Sequence, residues 1–368
     1  MNSSNIAIDV TKCLACGNCV DRCIMDNLRL ILPPCRQASP LGVNYQSVIR
    51  LIAEGKAEAA ARELRRSTPF GGLLSVWGDA AASRACSRSH SGGSLNMAGL
   101  FAWLVETQEA IAYSVPSRLP RSRKRAAVIG SGPAGLQAAY DLRMGGHAVT
   151  VYEAASEAGV SLLQSPAQES SSPVPEALPP LTPAVLEKTL AMLKAMGIVF
   201  ETSSPKGQAE LDALCAEYDA VICACGKGAV LPADACGWVK GNLFAAGACV
   251  KNQKAPTALQ AMAMGAKAAH GARNLMEGFD IDYEGNERVA RGLERFQGLS
   301  DEQENAPAVE AVLPAAVLYT AEEALAEAAR CLGCGRPVER NMTCWYCLPC
   351  EVVCPTQALH VRIPYLIR

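Results

Sequence analysis

Residues 126–154 read AAVIGSGPAGLQAAYDLRMGGHAVTVYEA. Ala126–Ile129 is a short apolar run with the pattern of a buried strand. A glycine-rich turn follows, then a helical pattern, then a second strand whose last residues include Glu153. The unit is βαβ, and its turn, Gly130-Ser131-Gly132-Pro133-Ala134-Gly135, matches G-x-G-x-x-G in the strand–turn–helix context that a dinucleotide fingerprint requires. Gly130 permits the tight turn, Gly132 lets the backbone approach a pyrophosphate, and Gly135 allows close helix–strand packing. The helix N-terminus offers free N–H groups and positive partial charge, and Glu153 is placed to accept from a ribose hydroxyl.

Working outward, TPAVLEKTLAMLKAMG (182–197) reads as a helix with Thr182 as N-cap and Pro183 at its first position. IVFET (198–202) and YDAVICACG (218–226) read as strands. NLFAAGACV (242–250) repeats the strand-then-glycine pattern and leads into a helix from Thr257 to Met276. On the N-terminal side, 44–66 reads as two short helices broken near Gly55, 83–94 as loop, 95–111 as a helix, and the basic, proline-bearing 118–125 as a linker. The Ser- and Pro-rich stretch 165–183 and the polar stretch 281–319 read as irregular. TAEEALAEAAR (320–330) carries a capping box from Thr320 to Glu323.

The 368 residues are half hydrophobic, with 34 Lys plus Arg against 36 Asp plus Glu, a net charge of −2. A nearly neutral surface excludes a dominant nucleic-acid or anionic-membrane footprint. No apolar run reaches the roughly 18 residues of a membrane span. The first residues lack the basic-then-apolar pattern of a secretory signal, so a cytoplasmic location with reduced thiols is expected.

Seventeen cysteines are the unusual count, and they are bunched: four between Cys13 and Cys23, six between Cys331 and Cys354. Cys13-x2-Cys16-x2-Cys19-x3-Cys23 and Cys344-x2-Cys347-x2-Cys350-x3-Cys354-Pro355 both have bacterial ferredoxin spacing, which points to two [4Fe–4S] clusters. The fourth cysteine of such a run commonly ligates the other cluster of a pair. That arrangement would group Cys13, Cys16, Cys19 and Cys354, and Cys344, Cys347, Cys350 and Cys23. Two local modules are the alternative, with Cys331 and Cys334 serving the C-terminal one. Cys331, Cys334, Cys344 and Cys347 also have the spacing of a four-cysteine zinc site. Cys223-x-Cys225 reads as buried small hydrophobes, with redox activity the competing reading. Four histidines, His90, His147, His270 and His360, form no partner pattern.

VIGSGPAGLQAAYDL…VTVYEA, YDAVICACG and LFAAGACV…TALQAMAMGAKAA together resemble the FAD domain of the glutamate synthase small subunit family. CRQASPLGVNYQSVIRLIAEGKAEAAARELRRSTPF resembles that family's helical N-terminal domain. The resemblance covers roughly residues 35–276 and implies an α/β, Rossmann-like FAD-binding domain (126–280) behind a helical domain (35–117). Ferredoxin-like segments would lie at 1–34 and 320–368, joined through 281–319. It implies FAD contacts at Gly130, Ser131, Gly132, Pro133, Ala134, Gly135, Glu153, Gly247, Ala248 and Thr257.

Departures from the family matter. The family inserts an NAD(P)H domain, yet here only about 65 residues separate Glu153 from Asp219 and 14 separate Gly226 from Gly241. Ala248 stands where the family has an acid after the second glycine motif. The family's helical domain holds clusters through several cysteines. Here Cys35 and Cys86 remain, with Ser39 in place of another, too few for a cubane, so this domain is expected to be a scaffold. The resulting expectation is an electron-transfer subunit relaying electrons between FAD and [4Fe–4S] clusters. It would work with other subunits of an oxidoreductase complex, such as a molybdenum or tungsten enzyme or an NAD(P)H- or ferredoxin-linked subunit. The alternatives are an NAD(P)H:acceptor oxidoreductase with a shared nicotinamide site and a non-catalytic scaffold with a vestigial flavin site.

Overall fold

The computed structural model describes residues 5–163, 181–228, 230–251, 256–283, 293–294, 298–299, 301–312, 318–340 and 344–363. Most of the Ser- and Pro-rich stretch, which the sequence reads as irregular, lies outside them.

The N-terminal segment is β1 (Ile6–Ile8), a cysteine loop, α1 (Asn18–Asp21) and β2 (Leu28–Ile31). A helical unit follows: α2 (Pro34–Ala38), α3 (Tyr45–Ala53), α4 (Ala57–Ser67), α5 (Gly71–Trp77), α6 (Ala80–Arg84), α7 (Met97–Thr107) and α8 (Glu109–Ala112). The break near Gly55 is real: Gly55 has φ +71, a left-handed conformation that glycine adopts without strain. Stretch 83–94 is more ordered than its composition suggests, holding the end of α6 and a 3-10 turn at Ser87–His90. The core is Val48, Ile49, Ile52, Leu64, Phe70, Leu73, Leu100 and Leu104, with Tyr45 stacked on Phe101 at 5.3 Å.

The α/β unit comprises β3 (Arg125–Ile129), α9 (Pro133–Met144), β4 (Ala148–Tyr152), α10 (Val160–Leu163), α11 (Pro183–Ala195), β5 (Val199–Glu201), α12 (Gln208–Glu217), β6 (Ala220–Cys223), β7 (Trp238–Lys240), β8 (Leu243–Ala245) and α13 (Ala258–Glu277). Its six-stranded sheet has the order β5-β4-β3-β6-β8-β7, parallel except at the β7 edge. Pro183 opens α11 with Thr182 as cap, and Thr257 and Gln260 form a capping box at α13. Small residues set the depth of packing: a Cβ on Gly265 of α13 would collide with the Ala134 carbonyl of α9. The segment between β4 and β6 adds β5 to this same sheet. Among the described residues it builds no second nucleotide-binding sheet.

The rest of the chain is β9 (Leu293–Glu294), α14 (Asp301–Glu304), α15 (Ala321–Ala329), β10 (Arg336–Glu339), α16 (Pro349–Val352) and β11 (Leu359–Val361). The polar connector is thus not wholly irregular, since β9 pairs parallel with β2. No helix among the described residues is long and apolar enough to cross a membrane.

Candidate cofactor and metal sites

The two ends of the chain fold as one. β1 pairs antiparallel with β11, Ile6 facing Val361 and Ile8 facing Leu359. β10 pairs antiparallel with β2, Arg336 facing Ile31 and Glu339 facing Leu28. Each end therefore runs strand, cysteine loop, short helix, strand, and each lends a strand to the other. The loops match in backbone as well as spacing. Ala15 (φ 49), Gly17 (φ 89) and Asp26 (φ 51) are left-handed in the first, and Tyr346 (φ 57), Leu348 (φ 67) and Gln357 (φ 53) in the second. Counted from Cys13 and Cys344, these are the same positions. Non-glycine residues there cost of order 1–2 kcal/mol each, a cost repaid only if the loop has to turn its N–H groups inward.

That exchange of strands groups the cysteines across the chain. Cys13, Cys16, Cys19 and Cys354 line one cavity, with Ile8, Leu14, Ala15, Pro337 and Leu359 as apolar wall. Cys23, Cys344 and Cys350 pack in one cluster, and Cys344 and Cys350 both interact with Cys23 and Cys347. The cavity and these neighbours group the cysteines in the way the crossed arrangement would. Backbone N–H groups already point at sulfur: Ala15 N to Cys13 Sγ (3.4 Å), Asn27 N to Cys23 Sγ (3.3 Å) and Ala358 N to Cys354 Sγ (3.1 Å). Burial pushes the Cys13, Cys16, Cys19 and Cys344 thiols up, and Cys350 to about 11, with neighbouring thiols adding to the rise. Cys354 goes the other way: burial opposes its ionisation, but the N–H groups of Thr356, Leu359 and Ala358 outweigh it.

Cys331 and Cys334 stand apart from both of these groups, whereas the alternative of two local modules would have them serve the C-terminal one. They line a separate cavity with Cys35 and Cys86, so the helical unit is not left with two stranded cysteines. Two clasps bring the distant segments together. After α15, Arg330 is fully buried against Glu327 (2.7 and 2.9 Å) and donates to the carbonyls of Gly92 and Gly93 (2.7 and 2.6 Å). Glu327 accepts from Asn96 N (2.9 Å) and Val312 N (2.8 Å), while Arg88 Nε donates to the Arg330 carbonyl (2.8 Å). Beyond the cysteines, the Gln46 side chain bonds both the N–H (2.7 Å) and the carbonyl (3.1 Å) of Gly335. A buried ion pair with every lone pair used is costly to break from one side, and this one sits immediately before Cys331. Burial pushes Cys35 well up and Cys331 to about 12. Sequence spacing could not pair residues so far apart. The usable signal was elimination, because two complete ferredoxin runs and the five cysteines of the α/β unit, Cys215, Cys223, Cys225, Cys236 and Cys249, leave Cys35, Cys86, Cys331 and Cys334 over.

The glycine turn is a cradle of a different kind. A Cβ on Gly135 would collide with the Gly130 carbonyl, and one on Gly130 with the Ala224 carbonyl, so both glycines serve packing. Gly132 differs: a Cβ there would find nothing nearer than Ser161 Oγ at 3.8 Å, an opening at the uncapped N-terminus of the twelve-residue helix α9. That opening and its free N–H groups fit a phosphate. Gly247 (φ +77) approaches from β8, its Cβ position 3.1 Å from Ala134 Cβ. Pro133 opens α9, and Ala248 lies in the 3-10 turn after β8. Ser131 is fully buried, its N–H and hydroxyl both bonding Glu153 Oε2, while its Oγ accepts from Gly159 N (2.7 Å). Burial works against the Glu153 charge, but bonds from Ala155 N and from Ser131 outweigh it and hold the carboxyl below its ordinary range. Thr257 Oγ1 accepts from Gln260 N (3.3 Å). His147 is buried, its Nδ1 bonded to Ser122 Oγ (2.9 Å), a structural position.

Residues 128–169 match the family model described as an NAD(P)-binding Rossmann-like domain, so the α/β unit is Rossmann-like in sequence as well as topology. The chain is related to oxidoreductase subunits. It is 28% identical to the NAD-dependent dihydropyrimidine dehydrogenase subunit PreT of Salmonella typhimurium, over 53% of this chain and 46% of that protein. It is 35% identical to the glutamate synthase [NADPH] small chain of Bacillus subtilis, over 30% of this chain and 21% of that one. It is 26% identical to the NADP(+)-dependent formate dehydrogenase subunit beta of Moorella thermoacetica, over 53% and 30%. The matched stretch spans less than half of each relative.

Proposed function

We propose that the chain is an electron-transfer subunit of an oxidoreductase complex, with a dinucleotide, read as FAD, at the Gly130–Gly135 turn and iron–sulfur clusters at its cysteine groups. The observation that carries this reading is the closure of the Cys13–Cys19 loop by Cys354 through the β1–β11 ladder. Two such crossed groups fit two [4Fe–4S] clusters, and the set Cys35, Cys86, Cys331 and Cys334 offers a third. Among the described residues no three His, Cys, Asp or Glu side chains are arranged around one metal ion.

When bound, a flavin exchanges electrons in pairs and clusters carry them singly. The chain's own part is positional. The α9 N-terminus and the opening at Gly132 would seat the pyrophosphate, and Glu153, held charged, would orient the ribose. The N–H groups on Cys13, Cys23 and Cys354 would tune the clusters they touch. The β2–β10 ribbon links the groups: its Ile31–Arg336 end leads to Cys35 and Cys334, its Leu28–Glu339 end towards Cys23 and Cys344. At the second crossed group Cys347, Trp345 and Val352 are exposed, a face for a redox partner subunit.

A second reading, NAD(P) at the same turn, is favoured by the family model's description. Iron, acid-labile sulfide, zinc and nucleotide content per chain, on protein purified anaerobically, tests both. About twelve iron atoms and one FAD are expected. Eight iron and one zinc would reassign the Cys35 group alone. Bound NAD(P) without flavin would favour the second reading, and the absence of iron would overturn the proposal.

A further inference from the structure

Three thiols outside these groups meet at the C-terminal ends of β6 and β8. Cys223 ends β6, and Cys225, two residues on and on the same side, has its Sγ 3.4 Å from Cys223 Sγ. Cys249 donates to the carbonyls of Cys223 (3.0 Å) and Ala246 (3.1 Å). Exposure separates them: Cys223 and Cys249 are sealed, whereas Cys225 is partly open beneath the turn at Gly226–Gly228. Cys249 also interacts with both other thiols, but its thiol is sealed and donates to backbone carbonyls. Cys223 and Cys225 have an Sγ–Sγ approach of 3.4 Å and the one partly open thiol, which makes them the pair.

Their location gives the pair a consequence. Ala224, between them, donates to the Ile129 carbonyl (2.8 Å), and its own carbonyl lies where a Cβ on Gly130 would be. The Cys223 carbonyl accepts from Ala246 N (2.9 Å). The dithiol is therefore built into the wall of the first glycine turn.

We propose that Cys223 and Cys225 form a reversible dithiol–disulfide site whose substrates are low-molecular-weight disulfides, and whose closure deforms the Gly130 turn. The Cys225 thiolate attacks one sulfur of R–S–S–R, forming a mixed disulfide and releasing one RS−, which is protonated to RSH. Cys223 loses its proton and displaces the second RS−. Two protein thiols are oxidised by two electrons, and the disulfide is reduced to two RSH. Cys225 is the partly open thiol and Cys223 the buried one, and hydrogen bonding with Cys225 and Cys249 together with burial raises the Cys223 thiol, so the open thiol starts the exchange and the sealed one completes it. Drawing the sulfurs in to the ~2.05 Å of a disulfide bends the chain at Ala224, and its carbonyl moves relative to Gly130.

The full chain, purified anaerobically with its metal, is equilibrated with graded glutathione to glutathione-disulfide ratios, trapped by alkylation and digested. The expected product is the peptide carrying Cys223 and Cys225 with two hydrogens lost, linked between those two residues and restored by dithiothreitol. Amide hydrogen exchange across 129–135 should speed up about tenfold on oxidation, within the usual size of coupling between neighbouring sites. In Cys225→Ser that exchange should not respond to oxidant. Alkylation of both thiols at every ratio, a Cys223–Cys249 link, or unchanged exchange in the oxidised protein would each overturn the proposal. None of these readouts needs bound nucleotide, so a failure of the flavin reading is distinguishable.

Discussion

Ala15 and Tyr346 occupy the same left-handed position, φ 49 and 57, two residues after the first cysteine of loops at opposite ends of the chain. Neither residue favours that conformation. Its recurrence at both, and again at Gly17 with Leu348 and Asp26 with Gln357, shows that cysteine spacing alone does not define these loops. A backbone turn that aims N–H groups inward recurs with it. Ala15→Val adds a branched side chain at a left-handed position and should destabilise that loop by about 1–2 kcal/mol beyond alanine. Iron content should fall by about four atoms per chain, with the Cys344 group retained, as metal analysis and visible absorbance would show.

Gly132 and Gly135 lie three residues apart and should respond oppositely. At Gly132 a methyl group enters open space, so Gly132→Ala should leave unfolding free energy within about 0.5 kcal/mol and lower bound nucleotide about tenfold or more. At Gly135 the methyl group meets the Gly130 carbonyl, so Gly135→Ala should destabilise by about 1–3 kcal/mol. Denaturant melts alongside nucleotide content separate the two.

Glu327 tests the clasp. Glu327→Ala leaves the Arg330 guanidinium buried without its carboxylate and should cost about 3–5 kcal/mol. Metal at Cys35, Cys86, Cys331 and Cys334 should be lost first, because Arg330 directly precedes Cys331. Selective loss of that site's metal in the still-folded fraction, by elemental analysis, is the expected result.

Asp141, on α9, carries a carboxyl that burial raises from 3.8 to about 6, against bonding from Gln137 and the charge of Arg273. A raised carboxyl binds its proton more tightly when folded. Its favourable contribution is complete below the unfolded value of 3.8 and is lost as pH rises through about 6. Asp141→Asn should therefore gain on the order of 3 kcal/mol at pH 8 and little at pH 4, measurable as a pH-dependent difference in urea midpoints.

The α/β unit was legible because its signals are local. The run Ala126–Ile129, the glycine turn and the Thr182 and Thr257 caps each lie within a few residues of what they determine, and all stand in the structure. The crossed grouping of Cys23 and Cys354 was legible only as one of several arrangements, since spacing says nothing about which strand a loop pairs with. The cavity shared by Cys35, Cys86, Cys331 and Cys334 had no counterpart in the sequence reading. Its assembly depends on Arg330 reaching Gly92 and Gly93, and on Gln46 holding Gly335, contacts no local pattern encodes. Glu153 stands beside the turn, and its tie to the buried Ser131 follows from tertiary packing that no local pattern encodes.

Sharing of clusters between the Cys13 and Cys344 loops is read out by comparing Cys354→Ala with Cys23→Ala in Mössbauer and electron paramagnetic resonance spectra. Cys354→Ala should perturb the cluster at Cys13, Cys16 and Cys19, and Cys23→Ala the one at Cys344, Cys347 and Cys350. Site identity would be fixed by matching single variants of Cys16 and Cys347. If each substitution instead altered only the cluster of its own loop, the shared module would be wrong.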